Sequence, residues 1–219
     1  MAITVKTNVS ANGALNDLNR TTRALSRNFE RISSGLRISR SADDAAGLGV
    51  AEALRADAAS AKVAARNIND GISIIAVAEG ATGEVASILV RLRELAIQSM
   101  SETLATTERT YIDDEADELV AEVARIAAVT EFNGVSLTDG TTTQLDVQVG
   151  IQNTLNDIIT ITLGDLTTTT LGINVLDLSS AANASTGLTL IDAALSTVGQ
   201  NRSNFGSVEN RLGNALNNI

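Results

Sequence analysis

Leu15, Leu18, Thr22, Leu25, Phe29, Ile32 and Leu36 are separated by alternating steps of three and four residues. On an α-helix that spacing draws one narrow stripe, the a/d seam by which a helix buries itself against another. The chain contains no proline, so nothing hard-breaks such a helix. Outside the stripe the segment is polar, and Arg20, Arg23, Arg27 and Arg31 all lie off it. The seam needs a partner helix.

A second run begins at Ala51 and continues through Leu54, Ala58, Ala61, Ala65, Ile68, Ile72 and Ile75. A shifted register then reads Ala78, Ala81, Val85, Ile88, Leu92, Leu95. The change at 75–78 predicts a three-residue phase slip. Gly80 and Gly83 follow it, and each costs about 1 kcal/mol against Ala in a helix interior, so close helix packing is expected there. Together the runs predict a helix of about fifty residues, a rod of roughly 80 Å.

A third helix is expected over 107–129, with the stripe Ile112, Ala116, Leu119, Val123, Ile126 and acidic first turns (Asp113 to Glu118). Asn133-Gly134 marks a turn. The period then changes to two: LDVQV (145–149) and IITITL (158–163) read as strands joined by the polar loop GIQNTLN. Thr-rich 167–170 and the Ser/Ala/Asn stretch 179–187 read as loop. A last helix is expected from about Leu188 through Ile191, Leu195, Val198, Phe205, Leu212 and Leu216 to Ile219.

Composition narrows the chemistry. Aromatics are only 2% of 219 residues, so the core must be built from Ala, Val, Ile and Leu. Residues 1–40 carry seven Lys/Arg (Lys6, Arg20, Arg23, Arg27, Arg31, Arg37, Arg40) against Asp17 and Glu30, a net of +5. The whole chain is at −10, so the remainder carries −15. With one aromatic, Phe29, already on the apolar stripe, the basic segment is read as a solvated helix face or interface rim, not as a nucleic-acid site. The chain has no Cys, His or Trp. That removes His bases and ligands, thiol nucleophiles, thiolate metal sites and disulfides. MAITVKTNVS shows no charged segment followed by an apolar one, hence no visible cleavable signal. No apolar run approaches a membrane-spanning helix, and membrane insertion is not expected.

The candidate motifs reduce to structure. Gly47-Leu48-Gly49 lacks the third glycine and the strand of a dinucleotide fingerprint. Asp43 and Asp44 read as a helix start, with Asp43 or Ser41 capping and Asp44 in the first turn. The acidic cluster 113–118 lacks the ligand spacing and turn glycine of a calcium loop. Serines abound, but the usual base is missing. No cofactor, metal or catalytic residue is expected. Long stripes without site chemistry describe a protein whose product is an interface, and not an enzyme.

The stretch ERISSGLRISRSADDAAGLGVAEALR (30–55) resembles the N-terminal signature of bacterial flagellin. ARNINDGISI (65–74), VRLRELAIQS (90–99), EFNGVSL (131–137) and SNFGSVENRL (203–212) follow in the family's order. The resemblance covers about 1–140 and 186–219. It implies a mainly α fold: a long-helix coiled-coil rod with a small β-hairpin region and no large outer domains. It implies an N-terminal inner-core helix and spoke (1–42), rod helices (43–137), a hairpin and loop part (138–186) and the start of a C-terminal rod helix (187–219). Gly35, Arg37, Arg40, Asp43 and Asp44 would form the joint between inner helix and rod. Leu15, Leu18, Leu25, Phe29, Ile32 and Leu36 would be the inner packing seam.

Functionally, the resemblance implies a homo-oligomeric subunit of the extracellular flagellar filament. It would be secreted through the flagellar export apparatus and would meet filament-cap and hook-junction proteins. It also implies recognition by the host Toll-like receptor for flagellin at Arg91, Leu95 and Glu115. Rival readings are a flagellin-like hook-junction protein and a secreted receptor ligand that does not assemble. Family members continue past NRLGNALNNI, so the chain alone is expected to form no regular filament, with residues 1–40 poorly ordered in the free monomer.

Overall fold

The computed structural model describes residues 8–219. Lys6 and the rest of 1–7, the start of the expected inner-core segment, lie outside the described residues. The chain divides into two compact units, Met1–Ala59 and Ser60–Ile219.

In the first unit, helix α1 spans Val9–Ser34. Asn8 caps it by accepting the Ala11 N–H at 3.1 Å. Gly35 ends it in the left-handed conformation, φ 67°, which glycine adopts without steric penalty. The helix is continuous where poor order was expected. What it lacks is burial, since none of its residues is buried. Helix α2, Ala45–Ser99, begins in this unit.

In the second unit α2 meets α3 (Thr106–Val129), four strands and α4 (Ala181–Asn218). The buried residues of α2 include Ala64, Ile68, Gly71, Ile75, Ala78, Thr82, Val85, Leu89, Leu92, Ala96 and Ser99. These run in unbroken steps of four and three, so the expected phase slip is absent. The sequence reading took Ile72, Ala81 and Ile88 as seam positions. The seam instead runs through Gly71 and Thr82, which have no apolar side chain to announce them. Thr82 turns its hydroxyl back onto the Ala78 carbonyl at 2.6 Å and so stays satisfied while buried. Gly71 lets Val147 and Leu212 close in, since a Cβ there would lie 3.1 Å and 3.4 Å from their methyl groups. Gly80 and Gly83 stand in open space, against the close packing expected for them.

Helix directions follow from the contacts. Gly71 lies by Leu212, Glu79 pairs with Arg202, and Arg93 pairs with Asp192. Numbers rise along α2 as they fall along α4, so the two are antiparallel. Arg91 meets Glu115, and the Arg109 guanidinium donates to the Ser99 and Ser101 carbonyls at the corner, so α3 is antiparallel to α2 as well. Glu108 accepts the Ala105 N–H at 2.8 Å and holds the α3 start. The acidic residues 113–118 lie beyond that first turn.

Strands β1 (Glu131–Phe132) and β2 (Val135–Ser136) form a two-residue hairpin around Asn133-Gly134. Strands β3 (Gln144–Gln148) and β4 (Ile158–Thr162) pair antiparallel, Asp146 opposite Thr160. Alternation sends Val147, Ile159 and Ile161 inward. They join Ile68, Ile75, Leu137, Phe205 and Leu212 in one cluster. A second cluster joins α2, α3, α4 and the covering segment through Leu166, Ile173 and Leu178.

Helix α4 starts at Ala181, seven residues before the expected Leu188, because Ser180 accepts the Asn183 N–H and caps it. The loop reading of 181–187 is corrected accordingly: Ala184 and Gly187 are buried seam positions. Helix α2 is also long and apolar enough, by length and composition, to cross a membrane, contrary to the sequence reading. Its seam side is occupied by the packing just described.

Gly80→Ala and Gly83→Ala should each stabilise the folded chain by about 1 kcal/mol, since helix propensity improves and nothing is displaced. Gly140→Ala should destabilise it by about 1–2 kcal/mol, because Gly140 holds φ 78°, where a Cβ is strained whatever the surrounding space. Urea denaturation of the three variants measures both signs.

Candidate interaction surfaces

Two surfaces emerge from residues that the cores do not use. The first is α1. The seam expected to need a partner is exposed along its length: Leu15 56%, Leu18 63%, Leu25 54%, Phe29 63%, Ile32 78% and Leu36 51%. Singly exposed apolar residues are ordinary, but a contiguous heptad stripe is not. The four arginines that were placed off the seam lie on the far side of the same helix. Arg20, Arg23 and Arg27 line one shallow polar face.

The segment after α1 is tied down by charge. Arg40 pairs with Glu30 at 2.7 Å, and Arg31 with Asp43 at 3.1 Å. The Ser39 N–H and hydroxyl both donate to Asp43. Desolvation opposes ionisation of Asp43, but these hydrogen bonds and the Arg31 charge outweigh it and hold its carboxyl below the usual range. Asp44, not Asp43 or Ser41, caps α2 by accepting the Gly47 N–H at 2.8 Å. A side chain at Gly47 would run into the Asp44 carboxylate and Ile38. Of the expected joint residues, Gly35, Arg40, Asp43 and Asp44 therefore each have a defined local task. Arg37 has no partner in these contacts. The pairs Arg40–Glu30 and Arg31–Asp43 join residues ten and twelve apart, which no local sequence pattern signals.

The second surface is the α2–α3 face around Arg91. Its guanidinium donates to Glu115 at 2.6 Å and 3.0 Å, and to Glu94 at 3.0 Å. Its hydrogen bonds to Glu115, then to Glu94, push the Arg91 pKa up. Both Arg91 and Glu115 have side chains 47% exposed. Glu94 was missed by the sequence reading, although its i,i+3 spacing from Arg91 was a legible signal. Leu95 does not belong to this surface: it is 1% exposed and packed in the core between the helices. A seam residue already buried between the protein's own helices has no surface left for a partner.

Beside this face the covering segment is clamped at Leu178. Its N–H donates to Asp113 at 2.7 Å, and its carbonyl accepts the Ser99 hydroxyl at 2.6 Å. The neighbouring Asp117 carries the cost of crowding. Burial first, then the charges of Asp113, Asp114, Asp177 and Glu118, push its carboxyl pKa up.

Antiparallel helices closed on an internal seam, together with a separate helix whose own seam is open, define a structural subunit of a helical assembly. Comparison with known proteins gives its kind. The profile of the bacterial flagellin N-terminal helical region matches residues 5–143. A flagellin of Halalkalibacterium halodurans is 40% identical over 191 residues, covering 87% of this chain and 70% of that one. Polar flagellin C of Vibrio parahaemolyticus is 46% identical over 150 residues, which are 68% of this chain and 39% of its relative. The crystal structure of Bacillus cereus flagellin superimposes with a TM-score of 0.63 at 32% identity, over 71% of this chain and 89% of that one. The chain belongs to the bacterial flagellins, the structural subunits of the extracellular flagellar filament, which are homopolymers.

Asp117→Asn should raise stability at neutral pH. A raised folded-state pKa means that the ionised form is disfavoured by folding, so the charge costs stability wherever it is present. The gain should stay within about 0.5 kcal/mol at so exposed a position. It should shrink in high salt and vanish in acid, where the carboxyl is neutral in both states. Thermal melts across pH check the sign and the window.

Proposed function

We propose that two segments of the chain, whose border lies ahead of the Ala59/Ser60 division between the compact units, divide the work of a filament subunit. Residues 1–42 would form the inner-core helix and spoke, with Gly35, Arg37, Arg40, Asp43 and Asp44 at the joint. Residues 43–137, 138–186 and 187–219 would form the rod. The observation that carries this reading is the open seam of α1 set against the closed seam of α2, α3 and α4. The second unit buries its seam residues within itself, though single apolar residues such as Leu155 and Val175 stay exposed. Helix α1 gains burial only by packing against a partner helix, so its seam is where association yields free energy. Full burial of a Leu, Ile or Phe is worth about 1.5–3 kcal/mol, and Leu15, Leu18, Leu25, Phe29 and Ile32 lie along α1; Leu36, expected on the same seam, falls beyond the helix end at Ser34, where Gly35 turns the chain.

The same composition suits export of the unfolded chain through the flagellar secretion apparatus. Without Cys no disulfide has to form outside the cell. Without Pro no slow cis–trans step delays refolding at the growing tip. Filament-cap and hook-junction proteins would be its neighbours there. For the host Toll-like receptor for flagellin, the Arg91–Glu115 pair, in which two guanidinium nitrogens share one carboxylate oxygen, offers an exposed feature fixed on two helices. Leu95 supports that pair from beneath instead of touching the receptor.

Leu18→Asp and Phe29→Asp should leave the melting temperature within a degree or two of the parent, since neither residue is buried. Both should abolish uptake of the chain onto flagellin filament seeds, measured by sedimentation and electron microscopy. Equal uptake of parent and variants would overturn the seam assignment. Arg91→Ala should reduce receptor signalling more than Leu95→Met does, read in a reporter assay on melt-matched proteins.

A further inference from the structure

Asn133 is the one described residue other than glycine at positive φ (51°), and Gly134 follows at 78°. Both central residues of the β1–β2 hairpin are thus left-handed, as a two-residue type I′ turn requires. The turn satisfies the backbone but leaves the Asn133 side chain in solvent. Its amide enters no hydrogen bond among the described residues. Gly134 is exposed beside it, with nothing within 4 Å of where a Cβ would be, and among the described residues its N–H donates to no carbonyl. The hairpin itself is minimal, with two residue pairs, Glu131↔Ser136 and Phe132↔Val135. So small an exposed unit opens at little cost.

These features place an electrophile and a nucleophile side by side. We propose that Asn133 is a site of spontaneous covalent modification, in which the turn converts its asparagine to aspartate and isoaspartate. When the hairpin opens, the Gly134 backbone nitrogen attacks Asn133 Cγ. The new N–Cγ bond closes a five-membered imide as the Cγ–Nδ2 bond breaks. Nδ2 leaves as ammonia, with its own two hydrogens and the proton lost from the Gly134 nitrogen. Water then opens the imide at either carbonyl. Cleavage at Cγ gives aspartate, and cleavage at the main-chain carbonyl gives isoaspartate. The sum is amide plus water to acid plus ammonia, with no other reactant.

The same chain holds comparable dipeptides that the fold treats differently. Asp139 precedes Gly140, but its Oδ1 accepts the Thr141 N–H at 2.9 Å and hydroxyl at 2.6 Å. These bonds hold its carboxyl ionised, below the usual range, and an ionised carboxylate is a poor electrophile. Asp70-Gly71 lies within α2, where Gly71 is buried against Val147 and Leu212. Asn12-Gly13 lies in α1, where the backbone is helical. Of these four, only 133–134 sits in an exposed turn.

The product changes the hairpin. Isoaspartate adds one main-chain atom to a loop that must hold two residues in register. Phe132 and Val135 then lose their pairing, and with them the walls of a groove of about 490 Å³ shared with Ile74, Leu137 and Leu145. The new carboxylate also stands on the rim of that groove, where Asp70 already lies.

Ageing of the purified 219-residue chain in mildly alkaline buffer, followed by peptide mapping, tests this. The peptide containing Asn133 should gain the mass of amide-to-acid conversion and isoaspartate should appear in it. Conversion should be several-fold faster than isomerisation at Asp139 or Asp70. Asn133→Gln should abolish the product at that peptide while leaving helical circular dichroism unchanged. An Asn133 that stays intact in the folded chain, yet converts in the same chain held in urea, would overturn the proposal.

Discussion

The unit Ser60–Ile219 depends on one seam. From Ala64 to Leu92 the buried positions of α2 alternate by four and three, and Leu95, Ala96 and Ser99 continue the seam to the helix end; α3, α4 and the β3–β4 hairpin pack around them. With 2% aromatics, the volume must be filled by aliphatic residues and by close approach. Close approach is what Gly71, Ala78 and Ala96 provide. Polar seam residues are kept by giving each hydroxyl an acceptor: Thr82 to Ala78, Ser99 to Leu178. The second of these does more than satisfy a group. It fixes the covering segment 163–178 to the helix pair and so closes the upper cluster.

The two units solve the same packing problem in opposite ways. Ser60–Ile219 closes its seam internally, and its remaining charges pair across helices at 2.6–3.7 Å. Such exposed pairs contribute little each; they set register more than stability. Helix α1 leaves its stripe open and keeps its arginines on the opposite face. Under the proposed division of labour, α1 keeps for association an apolar stripe that the folding of Ser60–Ile219 does not use.

Much of this was legible because long heptads are redundant. Ile68, Ile75, Val85 and Leu92 each fell on the seam, and the helix limits for α2 and α3 came within a few residues of the structure. The strand limits did too, because Val147, Ile159 and Ile161 alternate cleanly. The errors occurred where a seam position has no apolar side chain. Gly71 and Thr82 were passed over, and a phase slip was inferred to bridge the gap. The α4 start was late for a related reason. Ser180, Ala184 and Gly187 look like loop composition, while a Ser cap and small seam residues are equally what a tightly packed helix start contains. The joint was the least readable part. Arg31–Asp43 and Arg40–Glu30 depend on how the chain turns at Gly35, and that turn has no periodicity to read. For the proposed receptor surface, sequence resemblance selected three residues, and burial separated Leu95 from the other two.

That separation has a physical consequence for how the Arg91 face can vary. Arg91 stands between Glu94 on its own helix and Glu115 on the next. Removing its charge leaves two carboxylates facing each other with no cation between them, and like charges at that range repel. Lysine keeps the charge but loses the fork that reaches both partners at once. Replacing Glu115 still leaves Glu94 to hold the guanidinium, so the two members of the pair are not equivalent. The arginine is constrained from both sides by the rod itself, and the glutamate from one. Leu95 beneath them is constrained by packing alone, and a residue of similar volume serves there. A surface built this way keeps Arg91 held by Glu94 when Glu115 changes, whereas a change at Arg91 leaves both carboxylates without their cation; exposed as these pairs are, either change alters the surface charge more than the stability of the fold.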